Sequence, residues 1–356
     1  MRTLLLASIL LLLSACTNFV NDEIPLIIYD RQDHYMRHFE NQIQAAAGKR
    51  ITIRSYDSKN SQSIQNEIIE DLLENDPPLL IINPVDRLSV FPMVDKANQL
   101  GIPIIFINRE PLRDDIFRHD AAYYIGADPK ESAQLQAEMT IELFGGNETA
   151  LNSFDKNGDN AIQTIILMGQ QGHQDAEQRT KYVLKHLEDA GFDIDLLDIQ
   201  IANFNREEAY EITLELADIY GDNIELIISN NDAMAVGAID ALLETGMIKE
   251  DEDGMVVNHS PENWLPVIGI DGLDIATNLI ETGHLFGTVI NDSEAMAKAI
   301  VALADYLSNE KSLENYPYEI TDGRYIWINY RKFALESSSQ EEDDDEENDK
   351  DIEEAE

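Results

Sequence analysis

The chain is poor in cysteine and in positive charge, and its N-terminal apolar run is short. A single cysteine, Cys16, among 356 residues excludes any intrachain disulfide. Lysine and arginine number 25 against 69 acidic residues, a formal net charge of −44. A protein that grips a phosphate backbone needs a basic footprint, so nucleic acid is excluded as a partner and anionic lipid is disfavoured. Part of the acidity is local. Residues 341–356 hold twelve acids and one lysine, leaving −33 on the remainder. That balance suits calcium or a neutral ligand better than an anion, although a local pocket can override net charge. With 18 glycines and 11 prolines the chain is neither collagen-like nor Gly/Pro low-complexity. Its length suits about two lobes rather than one core.

The apolar run at residues 4–13 follows Arg2 and precedes Ser14, Ala15 and Cys16. Ten residues cannot cross a hydrocarbon layer of about 30 Å as a helix, so the run reads as a signal segment. Leu13-Ser14-Ala15-Cys16 is similar to a bacterial lipobox, which implies cleavage before Cys16 and lipid on its sulfur. An ordinary secretory signal with an incidental cysteine is the plainer alternative. The expected division is a signal peptide at 1–15, a tether at 16–23 and a membrane contact through the lipid alone.

From there the chain alternates. Short apolar runs at residues 24–29, 51–55, 79–82, 102–107 and 122–125 are separated by amphipathic stretches such as 34–47, 61–73 and 85–99. A second series follows at 164–168, 194–201, 224–228, 267–270 and 287–290. Near-continuous apolar strands alternating with helices predict parallel sheets covered on both faces. The fold class is α/β, with two doubly wound lobes of about five strands each. Polar residues follow several strands: Asn108, Asn230 and Asn231, Asp271, and Asn291. Singly they read as turn or cap residues. Together, across both series, they point to one cleft at the strand carboxyl ends, where open α/β sheets bind ligands. Residues 337–356 have no apolar period and read as a disordered acidic tail.

Residues 155–163 place oxygen-bearing side chains at loop positions 1, 3, 5 and 9: Asp155, Asn157, Asp159 and Gln163. Position 7 is Ala161, where only a carbonyl is needed. This spacing suits Ca²⁺. Position 6 is Asn160 rather than Gly, which is tolerable because Asn adopts left-handed backbone. Position 12 is Ile166, so a further carboxylate must come from elsewhere in the chain. A polar turn without metal is the alternative.

Several segments are identified as those of a known family. Asp155-Lys-Asn-Gly-Asp-Asn-Ala-Ile-Gln163, Gly172-His-Gln-Asp-Ala-Glu-Gln-Arg179 and Ser229-Asn-Asn-Asp-Ala-Met-Ala-Val-Gly-Ala238 resemble the bacterial D-galactose/D-glucose-binding proteins. So do Phe106-Ile-Asn-Arg-Glu-Pro111, Tyr124-Ile-Gly-Ala-Asp-Pro-Lys-Glu-Ser132 and Gly287-Thr-Val-Ile-Asn-Asp292. The similarity runs from about residue 25 to 332. Residues 249–264 look like an insertion, and the acidic tail is additional. The resemblance implies periplasmic-binding-protein type I lobes joined by a three-crossover hinge, with lobe one at 24–126 and 292–324 and lobe two at 127–291 and 325–336. It also implies a structural calcium ion whose missing carboxylate is Glu225.

A pyranose offers C–H faces that pack on aromatic rings and a belt of hydroxyls that must be paired when buried. By resemblance the plates fall on Tyr35 and Phe204, where the family commonly has Phe and Trp. The polar belt falls on Asp33, Asn108, His173, Asp175, Arg179, Asn231, Asp271 and Asn291. Asp175 and Arg179, four apart, share a helix face and could also be a plain ion pair. Asp33 is expected to accept from the 4-hydroxyl of either epimer. No nucleophile–base motif or glycine-rich phosphate loop accompanies His173 and Asp175, so an enzyme is not expected. The resemblance implies a monomeric, extracytoplasmic sugar receptor serving an ABC permease. A sensor feeding a chemoreceptor or sensor kinase shares the same binding site and stays open as an alternative.

Overall fold

A computed structural model describes residues 23–335. The signal segment, Cys16 and the acidic tail lie outside the described residues, as does the tether except Glu23, which opens the first strand. The chain runs β1 (Glu23–Ile28), α1 (His34–Ala47), β2 (Thr52–Asp57), α2 (Gln62–Glu74), β3 (Leu80–Ile82), α3 (Phe91–Leu100), β4 (Ile104–Ile107), α4 (Arg113–Ile116) and β5 (Ala122–Gly126). It then passes to α5 (Pro129–Leu143), β6 (Ala161–Met168), α6 (Gln174–Asp189), β7 (Asp193–Ile201), α7 (Arg206–Tyr220), β8 (Leu226–Ser229), α8 (Asp232–Thr245), β9 (Val267–Asp271), α9 (Asp274–Glu281) and β10 (Gly287–Ile290). Finally α10 (Ser293–Ser308), β11 (Tyr325–Trp327) and β12 (Arg331–Ala334) close the chain.

The strands form two six-stranded sheets, ordered β2-β1-β3-β4-β5-β11 and β7-β6-β8-β9-β10-β12. All pairings are parallel except β10 with β12. In both sheets the chain steps outward once and then reverses, between β1 and β3 and between β6 and β8. Such a reversal opens a crevice at the strand carboxyl ends. The run Ile24–Ile28 is buried throughout because helices cover both faces of its sheet. On one face Phe39 and Ile43 of α1 meet Ala299 and Ile300 of α10. On the other, Ile69 and Met93 pack over Phe106.

The sixth strand of each sheet comes from the last connection, which the alternation of apolar runs did not reveal. Tyr325–Trp327 pair in parallel with Tyr124–Gly126. Residues 325–327 therefore belong to the first lobe's sheet, whereas the sequence reading assigned them to lobe two. The reason is packing: Tyr325 and Trp327 stack on each other and meet Tyr124 edge-on. The segment 249–264 is anchored by buried Trp264, whose indole N–H donates to the His284 carbonyl at 3.1 Å.

Candidate functional site

The loops at the carboxyl ends of the two sheets face each other across a cavity of about 30 Å³. It is lined by Asp33, Tyr35, Asn108, His173, Asp175, Arg179, Phe204, Asn231, Asp271 and Asn291, the ten residues singled out above, and by Tyr29. A cavity of that size holds little more than a water molecule, so a larger ligand enters only when the lobes or their side chains part. Asp33, Tyr35 and Asn108 come from the first lobe. His173, Asp175, Arg179, Phe204, Asn231 and Asp271 come from the second, and Asn291 follows β10 at a connection between them.

Local chain chemistry aims each group. Asp33 caps α1, its Oδ1 accepting from Met36 N at 2.9 Å, while Oδ2 accepts from the Tyr29 hydroxyl. Asn231 caps α8 through Oδ1, from Met234 N at 3.0 Å, which leaves its amide N–H₂ for the cavity. His173 caps α6: its Nδ1 accepts from Asp175 N at 3.1 Å, so the ring proton sits on Nε2. Burial, with Arg109, Arg179 and Arg87 nearby, pushes the His173 pKa well below its usual value and keeps the imidazole neutral. Asn108 and Phe204 have φ of 60°, left-handed turns that end the strand direction and turn their side chains inward.

Arg179 is 4% exposed and organises one wall. It donates to the Asn230 carbonyl at 2.8 Å, to the Tyr330 hydroxyl at 3.1 Å and to Asp175 Oδ2 at 3.4 Å. Burial disfavours its charge, but Tyr330, Asp175 and Asp271 outweigh that and hold its pKa above the ordinary value. Burial raises the pKa of Asp175, opposed by Arg179. Burial also raises that of Asp271, with Asp232 and Asp33 adding to the effect. Among the described residues, three buried atoms of the lining have no hydrogen-bond partner: Tyr35 Oη, Asn291 Oδ1 and Arg179 Nε. Buried polar atoms are normally paired, so this set is complementary to a neutral, polyhydroxylated molecule. Among the described residues, no Ser, Thr, Cys or Lys lines this cavity beside His173 and Asp175.

Sequence reasoning missed four contributors. Tyr29 sits at the end of β1, four residues before Asp33, and Arg109 lies 3.6 Å over its ring. Tyr330 reaches Arg179 from 151 positions away, which no local pattern signals. Gly169 lies under Phe204: a Cβ there would fall 2.1 Å from the ring. Outside the cavity the lobes touch through Arg109 Nη2 to Gln170 Oε1 at 3.3 Å and Gln174 Nε2 to Glu110 Oε2 at 3.0 Å.

The candidate calcium loop lies in the second lobe. Glu225, 1% exposed, reaches it by accepting from Lys156 N at 2.5 Å and Gln163 N at 3.1 Å. Asp155 accepts from Gly158 N at 2.7 Å and Asn160 N at 2.9 Å, and Asp159 Oδ2 accepts from the amides of Asn157 and Gln163. Among the described residues no group of three or more His, Cys, Asp or Glu side chains is gathered as a metal cluster. The carboxylates instead hold the N–H groups of the loop. The residues nevertheless fit a hard cation: the donors are all oxygens, and Gln163 Oε1 is buried without a partner among the described residues.

Two doubly wound lobes enclosing a small polar and aromatic cavity define a two-lobed solute-binding receptor. The chain belongs to the periplasmic binding protein domain family, which matches residues 24–312. It is 35% identical to the D-galactose/methyl-galactoside binding periplasmic protein MglB of Haemophilus influenzae, over 89% of this chain and 91% of that one. Among solved structures it resembles a periplasmic solute-binding protein of Actinobacillus succinogenes with bound D-allose, at 21% identity and a TM-score of 0.71 over 88% and 97% of the two chains. It also resembles one from Bacillus halodurans with bound myo-inositol, at 23% identity and a TM-score of 0.70 over 88% and 94%. These are binding proteins, and the chain is a receptor rather than an enzyme.

Proposed function

We propose that this receptor binds D-galactose or D-glucose between its lobes and delivers it to an ABC permease outside the cytoplasm. One observation carries the reading: the lobes close on an aromatic residue from each, Tyr35 and Phe204, with carboxylates, amides, an arginine and a neutral histidine in the same walls. The 35% identity to a galactose-binding relative supports the choice of hexose. In this reading Asp33 accepts from the 4-hydroxyl, and its several lone pairs serve either epimer. His173 donates through Nε2, and Asp175 and Arg179 bond the anomeric end. The molecule acts as a monomer held to the membrane by lipid on Cys16.

Calcium belongs to the same proposal. Asp155, Asn157, Asp159, the Ala161 carbonyl, Gln163 and Glu225 would hold it, and it would brace the loop against β8 without touching sugar.

Calorimetric titration of the receptor with a panel of hexoses and pentoses tests the ligand. The expected result is micromolar or tighter binding of galactose and glucose. Binding of ribose or xylose with neither hexose bound would overturn it.

A further inference from the structure

The Tyr35 ring is one of the two aromatic faces of the cavity, and its hydroxyl is a separate matter. Tyr35 is buried, and its Oη has no hydrogen-bond partner among the described residues. The ring packs against Phe39 of the same helix, with centroids 5.7 Å apart, and the side chain lines the cavity. Asp33, Arg179 and Asp271 line the same cavity, and the charges of Asp271, Arg179 and Asp33 act on the phenol. Tyr330 is already committed to Arg179 at 3.1 Å. Asp271 makes no side-chain hydrogen bond among the described residues, and it comes from the opposite lobe. A phenol offers one donor and a carboxylate only acceptors, so one alcohol can accept from the first and donate to the second.

We infer that Tyr35 is a specificity-determining residue: its hydroxyl donates to a single ring hydroxyl of the sugar, on the Asp271 side of the cavity. The ligand class narrows to sugars that keep a free hydroxyl there. Deoxy analogues at that position are rejected, because two buried polar groups, one from each lobe, then lose a partner. The same bond ties lobe one to lobe two through the ligand. Burial holds the phenol protonated, well above its ordinary pKa, so it stays a donor at neutral pH.

The inference rests on the hexose reading, and the test separates the two. The full chain and its Tyr35→Phe variant are titrated with galactose and with its 2-, 3-, 4- and 6-deoxy forms. Tyr35→Phe should weaken galactose about tenfold, the size of one lost hydrogen bond, and should change the affinity of one deoxygalactose less than twofold. The sugar-free variant should melt no lower than the native chain, since it loses only an unpartnered buried hydroxyl. A loss of the same factor for every sugar, or no loss for any, would leave Tyr35 as an aromatic surface only and overturn the inference. If the native chain binds no hexose at all, the hexose reading fails and takes this inference with it.

Discussion

Gly169 carries no functional group, yet it sets the position of one wall of the cavity. Its backbone conformation is ordinary, so the argument is purely one of space: an alanine methyl would overlap the Phe204 ring, 2.1 Å from Cζ. Phe204 stands edge-on to His173, with ring centroids 5.1 Å apart, so a displaced ring also disturbs the imidazole. Gly169→Ala should therefore weaken sugar binding at least about tenfold while shifting the melting temperature little, because the displaced ring can move into the cavity. Calorimetry beside a thermal melt separates the two effects. A variant that binds as tightly as the native chain would mean that Phe204 does not bear on the ligand.

The residue scale also shows which parts of the site a sequence can reveal. Asn108, Asn231, Asp271 and Asn291 stand just after or at the end of apolar strands, so the rhythm of the chain marks them directly. Tyr35 and Phe204 look like core residues, and only family resemblance singled them out. Gly169 and Tyr330 carry no local signal, because their roles exist only once distant segments are packed together.

At the scale of elements, Glu225 precedes β8 in a run that reads as plain strand, Asn-Ile-Glu-Leu-Ile-Ile. Spacing alone left the calcium loop one carboxylate short. The pairing of β6 with β8 brings Glu225 beside Gln163. The short apolar segment 325–327 was misassigned for a related reason, since its lobe is decided by which edge it pairs with. For the proposed metal the expectation follows from mass action: Ca²⁺ bound only by the folded form raises the melting temperature of chelator-treated protein. Glu225→Gln should remove most of that increment, since Ile166 offers no substitute carboxylate. Acidity supplies a second check. Burial raises the Glu225 pKa, so its protonated form gains ground earlier than for an exposed glutamate as pH falls. A metal needs the ionised form, so the calcium increment should shrink on moving from neutral pH into the acidic range. An undiminished increment in the variant would show that Glu225 is no ligand.

On the scale of the whole molecule, the two lobes are similar in plan and are linked by three strand-end connections, after β5, after β10 and between β11 and β12. Beyond the cavity and the hinge, the contact between them includes two side-chain hydrogen bonds, Arg109–Gln170 and Gln174–Glu110. Each bond is worth about 1 kcal/mol net, too little to hold two domains shut against the freedom of the hinge. A sugar bonded to Asp33, Asn108 and Tyr35 on one side and to Asp175, Arg179 and Asp271 on the other adds contacts that exist only when the lobes are together. A ligand shifts such an equilibrium by its differential affinity for the two states and by nothing else. The receptor should therefore be more open on average without sugar, and its radius of gyration in solution scattering should fall when saturating galactose is added. Superimposable curves with and without sugar would mean that the lobes do not close, or that they are already closed when empty. In either case a permease would have no difference in shape by which to tell a loaded receptor from an unloaded one.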